Sequence, residues 1–343
     1  MPILPAEELG RVSVEVLRAA KSPEAEAQTV AQHLVSSNLS GHDSHGVMRV
    51  PQYVEDIRQG RVHPGAELSV IRDWPTGSTI DAQGAFGQVA CSIAMHRALE
   101  KAEEYGLGAV TMRGSGHTGR LGTYGELAAS KNMIGMVFNN AGGGGQRVAP
   151  FGGRQGRLAP NPLCLASPSG RDFPIVLDIS TCVAPEGKVR HAFQAGVKIP
   201  DGWLVDPEGR PTNDPAVLYE TPRGSLQPIG GIMGHKGFGL AFLVDILGGA
   251  LSGAGCSRPD GEAPPEDRGL LFAAIDVTRF IPLEAFLAHV SQLFDYIRAT
   301  PPAPGFDSVM VPGEFEYRQR QERGRDGIDV PEKTWSAIQS LLP

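Results

Sequence analysis

The residues best suited to acid–base chemistry lie in the segment Gly41-His42-Asp43-Ser44-His45-Gly46-Val47-Met48-Arg49. Histidine exchanges a proton near neutral pH, and the guanidinium fork of arginine fits a carboxylate. Asp43 or Ser44 can cap a helix that begins near His45, and such a helix places His45 and Arg49 one turn apart. The pair predicts proton transfer on a carboxylate-bearing substrate, although a capped surface helix with a solvated polar face explains the same spacing.

A second histidine, His117, lies in the glycine-rich segment Gly114-Ser115-Gly116-His117-Thr118-Gly119, between a predicted strand and a predicted helix. The glycine spacing is that of a Rossmann dinucleotide site. The next strand, however, ends in Asn139-Asn140, with no carboxylate to bind a ribose. The Rossmann interpretation is therefore weak, and His117 either faces a ligand or is a turn histidine bonded to backbone.

Two further segments place polar residues where a helix begins. Asp178-Ile179-Ser180-Thr181 follows a predicted strand, and Gly234-His235-Lys236-Gly237 opens an apolar helix that we expect to run to Leu251. The first turn of a helix attracts anions, so a lysine is misplaced there unless it meets a phosphate or carboxylate. An ordinary helix cap and a lysine that extends to solvent are the structural alternatives.

Composition limits the classes of protein that fit. The chain has 343 residues, 41% of them hydrophobic and 20% charged, which indicates a globular protein of two domains. A net charge of -7 without a basic tract argues against nucleic-acid binding. The four cysteines form no C-x-x-C pair, the N-terminus lacks a signal-peptide pattern, and the apolar run 237–255 contains Asp245. We therefore expect a cytoplasmic protein with no membrane segment.

The chain alternates between two kinds of pattern. Helical periodicity covers most of the first 60 residues, including a helix that we expect Ser22 to cap with Pro23 at its first position. Short strands and helices then alternate from Leu68 to Ile275, and a helix over 283–298 precedes a helical C-terminus. This order predicts an α/β (α+β) protein with helices at both chain ends.

Several motifs in the same order make the chain similar to a known family. The motifs are Gly41 to Tyr53, Gly116 to Gly119, Ala149 to Gly153, Asn161-Pro162, Asp178 to Thr181, Ile199 to Trp203, Gly234 to Gly237, Leu247 to Gly253 and Pro312 to Glu314. Together they resemble the type 2 malate/L-lactate dehydrogenase family over nearly the whole chain. Ala85 to Ala90 and Gly224 to Leu226 are closest to its hydroxycarboxylate dehydrogenase B branch.

The resemblance implies reversible hydride transfer between a 2-hydroxy acid and a 2-oxo acid, with NAD or NADP as cofactor. It also implies a homodimer and a non-Rossmann fold, in which a mixed-sheet NAD(P)-binding domain (73–282) joins a helical domain built from both ends (1–72 and 283–343). His45 matches the family's proton donor and Arg49 its carboxylate-binding arginine. His117 matches a histidine near the nicotinamide that is the base in some members.

Eight residues match segments that line the dinucleotide in the family: Asn161, Asp178, Ser180, Thr181, His235, Lys236, Gly313 and Glu314. Two departures bear on substrate choice. Pro160 replaces a threonine common before Asn-Pro, and residues 142–145 form an unusual four-glycine run. Reduction of a cyclic imine carboxylate at the same site is an alternative. An alternative from another class is a metal-dependent hydrolase with His42, His45 and His117 as ligands.

Overall fold

The computed structural model of the chain describes residues 2–142, 146–259 and 268–343. Within these ranges the helices are α1 (Ala6–Ala19), α2 (Glu24–Leu39), α3 (Val50–Arg58), α4 (Gly87–Tyr105), α5 (Gly122–Ser130), α6 (Glu186–Ala195), α7 (Gly234–Val244), α8 (Leu283–Arg298), α9 (Glu314–Asp326) and α10 (Glu332–Gln339). The strands are β1 (Ile3–Leu4), β2 (Ser69–Trp74), β3 (Gly77–Asp81), β4 (Leu107–Arg113), β5 (Met133–Asn140), β6 (Leu163–Ser167), β7 (Ile175–Ile179), β8 (Leu204–Val205), β9 (Pro211–Thr212), β10 (Ser225–Leu226), β11 (Gly269–Asp276) and β12 (Ile328–Asp329). Most of the four-glycine run, 143–145, lies outside the described residues.

A mixed sheet of seven strands forms the centre of the molecule, in the order β2-β3-β4-β11-β5-β6-β7. Only β3 and β4 pair in parallel, and every other neighbouring pair in this sheet is antiparallel. A Rossmann sheet is built from parallel strands joined by crossover helices. The prediction of a mixed α/β fold that is not a Rossmann fold is therefore confirmed.

Two large apolar cores hold the elements in place. One lies between the sheet and the helices α4 and α5, and it contains Met95, Val110, Tyr124 and Phe272. The other is built from both chain ends and contains Leu17 and Leu34 from the N-terminal helices with Ile328 from β12 and Ile338 from α10. The pairing of β1 with β12 also joins the ends. The domain limits at residues 72 and 283 stay a prediction.

Three local predictions differ from the structure. Pro23, not Ser22, occupies the position before α2, and the buried Ser22 hydroxyl has no hydrogen-bond partner among the described residues. The strand β7 ends at Ile179, and α6 begins only at Glu186, so Ser180 and Thr181 lie in a loop. The helix that opens at Gly234 stays α-helical to Val244 and continues as a π-helical segment, Asp245–Ala250. Within the described ranges, no helix is both long and apolar enough to cross a membrane.

Candidate active site

The segment that contains His45 is not the first turn of a helix. Asp43–His45 and Val47–Arg49 form two short 3-10 turns, with Gly46 in an extended conformation between them, and α3 begins only at Val50. The prediction that Asp43 or Ser44 caps a helix is therefore wrong, and His45 and Arg49 are not one α-helical turn apart. The cause is tertiary, because Asn38 accepts the Val47 N–H that a cap would have taken (2.8 Å).

Contacts with α2 and α9 fix this loop. The Asn38 amide donates to Asp43 Oδ1 (2.6 Å), and Arg323 donates to the same carboxylate oxygen (2.7 Å). His42 Nε2 lies 3.0 Å from Glu316 Oε1, which holds the pKa of that carboxyl below its usual value against the effect of burial. Side chains far apart in the sequence therefore determine where His45 lies.

Arg49 is half-buried beside the loop and already makes two hydrogen bonds. Its Nε donates to the Ser44 carbonyl (2.7 Å), and its Nη1 donates to the Gln52 side chain (2.7 Å). An arginine has five N–H groups. The outer edge of the guanidinium therefore keeps hydrogens that can bind a carboxylate, while Nε holds the chain next to His45.

The tertiary structure brings His45 and His117 together. Their rings are stacked, with centroids 5.6 Å apart and planes inclined by 19°. His45 Nδ1 lies 3.0 Å from the Ser44 hydroxyl. His117 Nδ1 lies 2.8 Å from the Tyr53 hydroxyl and 3.4 Å from the Gly119 backbone nitrogen. The two histidines that the sequence singled out therefore lie side by side in one site.

Burial and positive charge keep both rings neutral. Burial, then the Arg49 charge, lower the pKa of His45 from 6.5 to about 4. The same two causes lower the pKa of His117 well below its usual value, with a further effect of Arg268. A neutral imidazole is the form that accepts a proton. A carboxylate bound to Arg49 would cancel part of that positive charge and raise the pKa of His45 again.

A cavity of about 230 Å³ opens beside His117. Its lining includes Gln52, Asp56, Arg61 and Arg268. Asp56 is buried and accepts a hydrogen bond from Arg61 Nε (2.9 Å). Pockets for drug-sized ligands are about 300–1,000 Å³, so this cavity suits a small molecule. Its two arginines outnumber its single carboxylate, which favours an anionic ligand.

A buried ionic cluster lies near enough to His45 to lower its pKa. The Arg120 side chain is 1% exposed and donates to Glu126 (2.8 Å), while its Nε lies 3.8 Å from Asp178. Burial raises the pKa of Asp178, and the Arg120 charge opposes that shift. Asp178 also accepts a hydrogen bond from the Gly122 backbone (2.6 Å). The structure thus places Asp178 against the start of α5.

Two of the predicted cofactor residues lie together and are largely engaged with the backbone. The Thr181 hydroxyl donates to the Pro160 carbonyl (2.7 Å), and Asn161 donates to the Ala241 carbonyl of α7 (3.2 Å). The neighbouring Ser180 hydroxyl lies within 3.1 Å of both the carbonyl and the sulfur of Cys182. The backbone carbonyl of Thr181 accepts the Ile229 N–H (3.0 Å), so these loops pack against the segment that leads into α7.

His235 and Lys236 lie exposed in the first turn of α7. No side chain caps this helix, and its first turn contains no acidic residue. Uncapped backbone N–H groups together with an exposed lysine fit the phosphate groups of a dinucleotide. The first turn of α7 therefore fits the expected cofactor.

Gly313 and Glu314 lie at the start of α9, beside strand β7. Gly313 has a φ of +90°, and a Cβ there would come within 2.6 Å of the Pro174 carbonyl, so only glycine fits. The Glu314 carboxylate is 4% exposed and is shared by Arg318 (2.6 Å) and Arg298 (3.3 Å). The negative charge of Glu314 is therefore balanced within the protein.

The proposed metal ligands do not form a coordination sphere. His42 pairs with Glu316, whereas His45 stacks on His117. In residues 2–142, 146–259 and 268–343, no three His, Cys, Asp or Glu side chains are grouped so that they could hold a metal ion. The hydrolase alternative therefore has no ligand set in this part of the chain.

The sequence patterns assigned no role to Tyr53, Gln88, Arg61 or Arg120. Tyr53 and Gln88 lie inside motifs that carry the family resemblance, which was the one signal available for them. Arg61 and Arg120 follow glycine residues in segments that read as loops. Their positions depend on partners remote in the sequence, so spacing could not reveal them.

Comparison with known proteins agrees with the fold and shows the family. The sequence profile of the malate/L-lactate dehydrogenase family matches residues 4–339. Hydroxycarboxylate dehydrogenase B from Escherichia coli O157:H7 is 36% identical over 334 residues, which are 94% of this chain and 89% of that protein. A putative malate/lactate dehydrogenase from E. coli superposes with a TM-score of 0.92 at 34% identity, covering 100% of this chain and 95% of that one. A delta1-piperideine-2-carboxylate reductase from Pseudomonas syringae pvar. tomato has a TM-score of 0.85 at 25% identity, covering 99% and 100%.

Proposed function

Because this chain belongs to the malate/L-lactate dehydrogenase family, we propose that it interconverts a 2-hydroxy acid and a 2-oxo acid with NAD or NADP, using His45 for proton exchange and Arg49 for the substrate carboxylate. The chain is an enzyme of the 2-hydroxyacid dehydrogenase type. The observation that carries the residue roles is the stacking of His45 on His117, next to Arg49 and an arginine-lined cavity.

His45 exchanges the proton of the substrate hydroxyl. Its pKa of about 4 means that the ring is neutral before substrate binds, which is the form that accepts the proton of a 2-hydroxy acid. For reduction of a 2-oxo acid the ring must first take up a proton, and the substrate carboxylate on Arg49 favours this uptake. His45 is thus ready for oxidation at neutral pH and needs a proton for reduction.

The nicotinamide cofactor supplies or accepts the hydride when it is bound. Lys236 and the backbone N–H groups of α7 would hold its phosphates, with His235 beside them. Asn161, Asp178, Ser180, Thr181, Gly313 and Glu314 complete the proposed binding segments. Of these, Thr181 and Glu314 act mainly by holding backbone and side chains in place, because their polar atoms already have protein partners.

Reduction of a cyclic imine that carries a carboxylate is the second candidate. It is supported by the similarity to the delta1-piperideine-2-carboxylate reductase. The same residues would serve, since Arg49 binds the carboxylate in both cases and an imine nitrogen also needs a proton.

A spectrophotometric screen tests the proposed function. We expect the purified protein to oxidise NADH or NADPH with at least one of oxaloacetate, pyruvate, sulfopyruvate, phenylpyruvate or a cyclic imine carboxylate. Oxidation by an imine alone would select the second candidate. No absorbance change with any acid and either cofactor, under conditions where the protein is folded, would contradict the dehydrogenase assignment for these substrates.

We also propose a homodimer. The α7 helix and the segment after it expose large apolar side chains, with Phe242 52%, Leu243 56% and Leu251 58% exposed. A second copy of the chain would cover them. Sedimentation velocity should give about twice the 36.4 kDa chain mass. Leu243→Arg should shift the equilibrium to the monomer, whereas Tyr105→Arg, on α4, should not; a monomeric wild-type protein would contradict the proposal.

A further inference from the structure

Two buried side chains, Gln88 and Tyr53, form a hydrogen-bonded series that ends on the half-buried ring of His117. The Gln88 side-chain amide donates to the Tyr53 hydroxyl (2.7 Å), which lies 2.8 Å from His117 Nδ1. Gln88 is 1% exposed and Tyr53 2% exposed. Water therefore does not compete for these bonds, and their direction determines which nitrogen of His117 carries hydrogen.

The direction follows from the donors. If Gln88 donates to the Tyr53 oxygen, the single hydrogen of Tyr53 is left for His117 Nδ1. The backbone N–H of Gly119, which can only donate, also points at His117 Nδ1, with the two nitrogens 3.4 Å apart. This second, longer contact supports the same assignment whichever way the Gln88 amide is turned, because a hydrogen on Nδ1 would face the hydrogen on Gly119. The neutral ring therefore carries its hydrogen on Nε2.

His45 has no such constraint. Its Nδ1 lies 3.0 Å from the Ser44 hydroxyl, which can rotate either to donate or to accept. His45 can therefore gain and lose a proton without leaving a buried group unpaired. A proton added to His117 Nδ1 would break the Tyr53 bond and repel the Gly119 N–H.

We propose that Tyr53 and Gln88 are positioning residues that hold His117 as a neutral ring with its hydrogen on Nε2, so that His117 donates a hydrogen bond to the reacting oxygen and His45 exchanges the proton. The His117 Nε2 atom has no hydrogen-bond partner among the described residues, and His117 lines the cavity. This inference rests on the proposed function. It gives His117 a different role from the base that the family resemblance suggests.

A fixed donor of this kind stabilises an oxygen that gains negative charge as the carbonyl is reduced. Fixed hydrogen-bond donors at such an oxygen are worth about 10²–10³ in turnover. The low pKa of His117 agrees with this role, because an imidazole kept neutral by its surroundings can donate without titrating. Arg49, Arg268, His45 and His33 each lower the pKa of His117 and so oppose a second proton. The Asp56 carboxylate in the same cavity is paired with Arg61.

The decisive experiment is ¹⁵N NMR of the substrate-free protein labelled at histidine, with His117→Gln used to identify the signal. At pH 7 we expect the shift of an unprotonated nitrogen for Nδ1 and of a protonated nitrogen for Nε2. A protonated Nδ1, or a fully protonated ring, would overturn the proposal. Because no substrate or cofactor is present, this result does not depend on the outcome of the activity screen.

Substitutions of Tyr53 and Gln88 test whether these residues hold the tautomer of His117. Tyr53→Phe leaves only the longer Gly119 contact on Nδ1, so both tautomers should be populated. Turnover should fall about 10–100-fold, the range found for groups that orient metal-ligating histidines. Tyr124→Phe is the matched control, since Tyr124 is equally buried and donates to the Thr118 carbonyl (2.6 Å) but does not contact the His117 ring. It should lose stability and keep the tautomer. If Tyr53→Phe does not fold, Gln88→Met should show a smaller change in the same direction; an unchanged tautomer in the folded variant would refute the role of the series.

Discussion

His45→Gln is expected to lower turnover by about two to four powers of ten, because a general acid or base contributes about that much and glutamine cannot exchange a proton. The Ser44 hydroxyl would still have a polar partner at this position. The loop itself depends on Asn38, Arg323 and Glu316 rather than on the imidazole. The loss should therefore reflect chemistry and not unfolding.

The pH dependence of the wild-type enzyme should identify the same group. Its lowered pKa means that the protonated fraction of His45 falls tenfold for each pH unit above about 4. In the direction of 2-oxo acid reduction, kcat/KM should fall with that slope as the pH rises. In the direction of 2-hydroxy acid oxidation, which needs the neutral ring, kcat/KM should be independent of this group above about pH 5.

His45→Gln should lose the tenfold slope in the reductive direction. His96→Gln is the control, because His96 is exposed on α4, and it should keep both turnover and slope. Full turnover in a folded His45→Gln enzyme would remove His45 from the chemistry.

Arg49→Lys is expected to raise KM for the 2-oxo acid about 10–100-fold, since hydrogen bonds to charged groups are worth about 1.5–3 kcal/mol. Lysine keeps the positive charge but replaces a planar fork with a single ammonium group. It also loses the bond from Nε to the Ser44 carbonyl, so a smaller fall in kcat should accompany the change in KM.

Arg58→Lys is the matched control for Arg49→Lys. Arg58 lies on α3, its side chain is 64% exposed, and its ion pair with Glu55 is 3.9 Å long. Its KM values should equal those of the wild type. An Arg49→Lys enzyme with unchanged KM for every 2-oxo acid that the wild type accepts would show that another group, such as Arg61 or Arg268, binds the carboxylate.

Local sequence patterns predicted the elements well wherever periodicity was strong. The predicted helix over 283–298 is α8, and the strand–helix alternation of the central region is present in the sheet and its helices. Val47, Val50 and Val54 recur at helical spacing in the sequence, and all three are buried in the helical core. These predictions succeed because burial of one face requires a regular spacing of apolar residues.

The predictions that depended on single polar residues were less reliable. Asp43 was expected to cap a helix, but Arg323 and Asn38 take its carboxylate. The glycines around His117 were suited to a phosphate loop, but Gly119 packs against His33, where a Cβ would come within 2.1 Å of the imidazole. A short polar side chain or a glycine satisfies several local structures, and the packing of distant elements selects one of them.

By itself, the sequence determined the class of fold and the set of residues with useful chemistry: His45, Arg49 and His117, with Lys236 at the start of α7. The tertiary structure alone decided how they work together. It stacked the two imidazoles half-buried beside positive charge. It placed Tyr53 and Gly119 against the Nδ1 atom of His117, and the Ser44 hydroxyl against the Nδ1 atom of His45. The physical reason is that the state of an imidazole depends on its burial and on the donors around each nitrogen, and the residues that supply these are far apart in the chain.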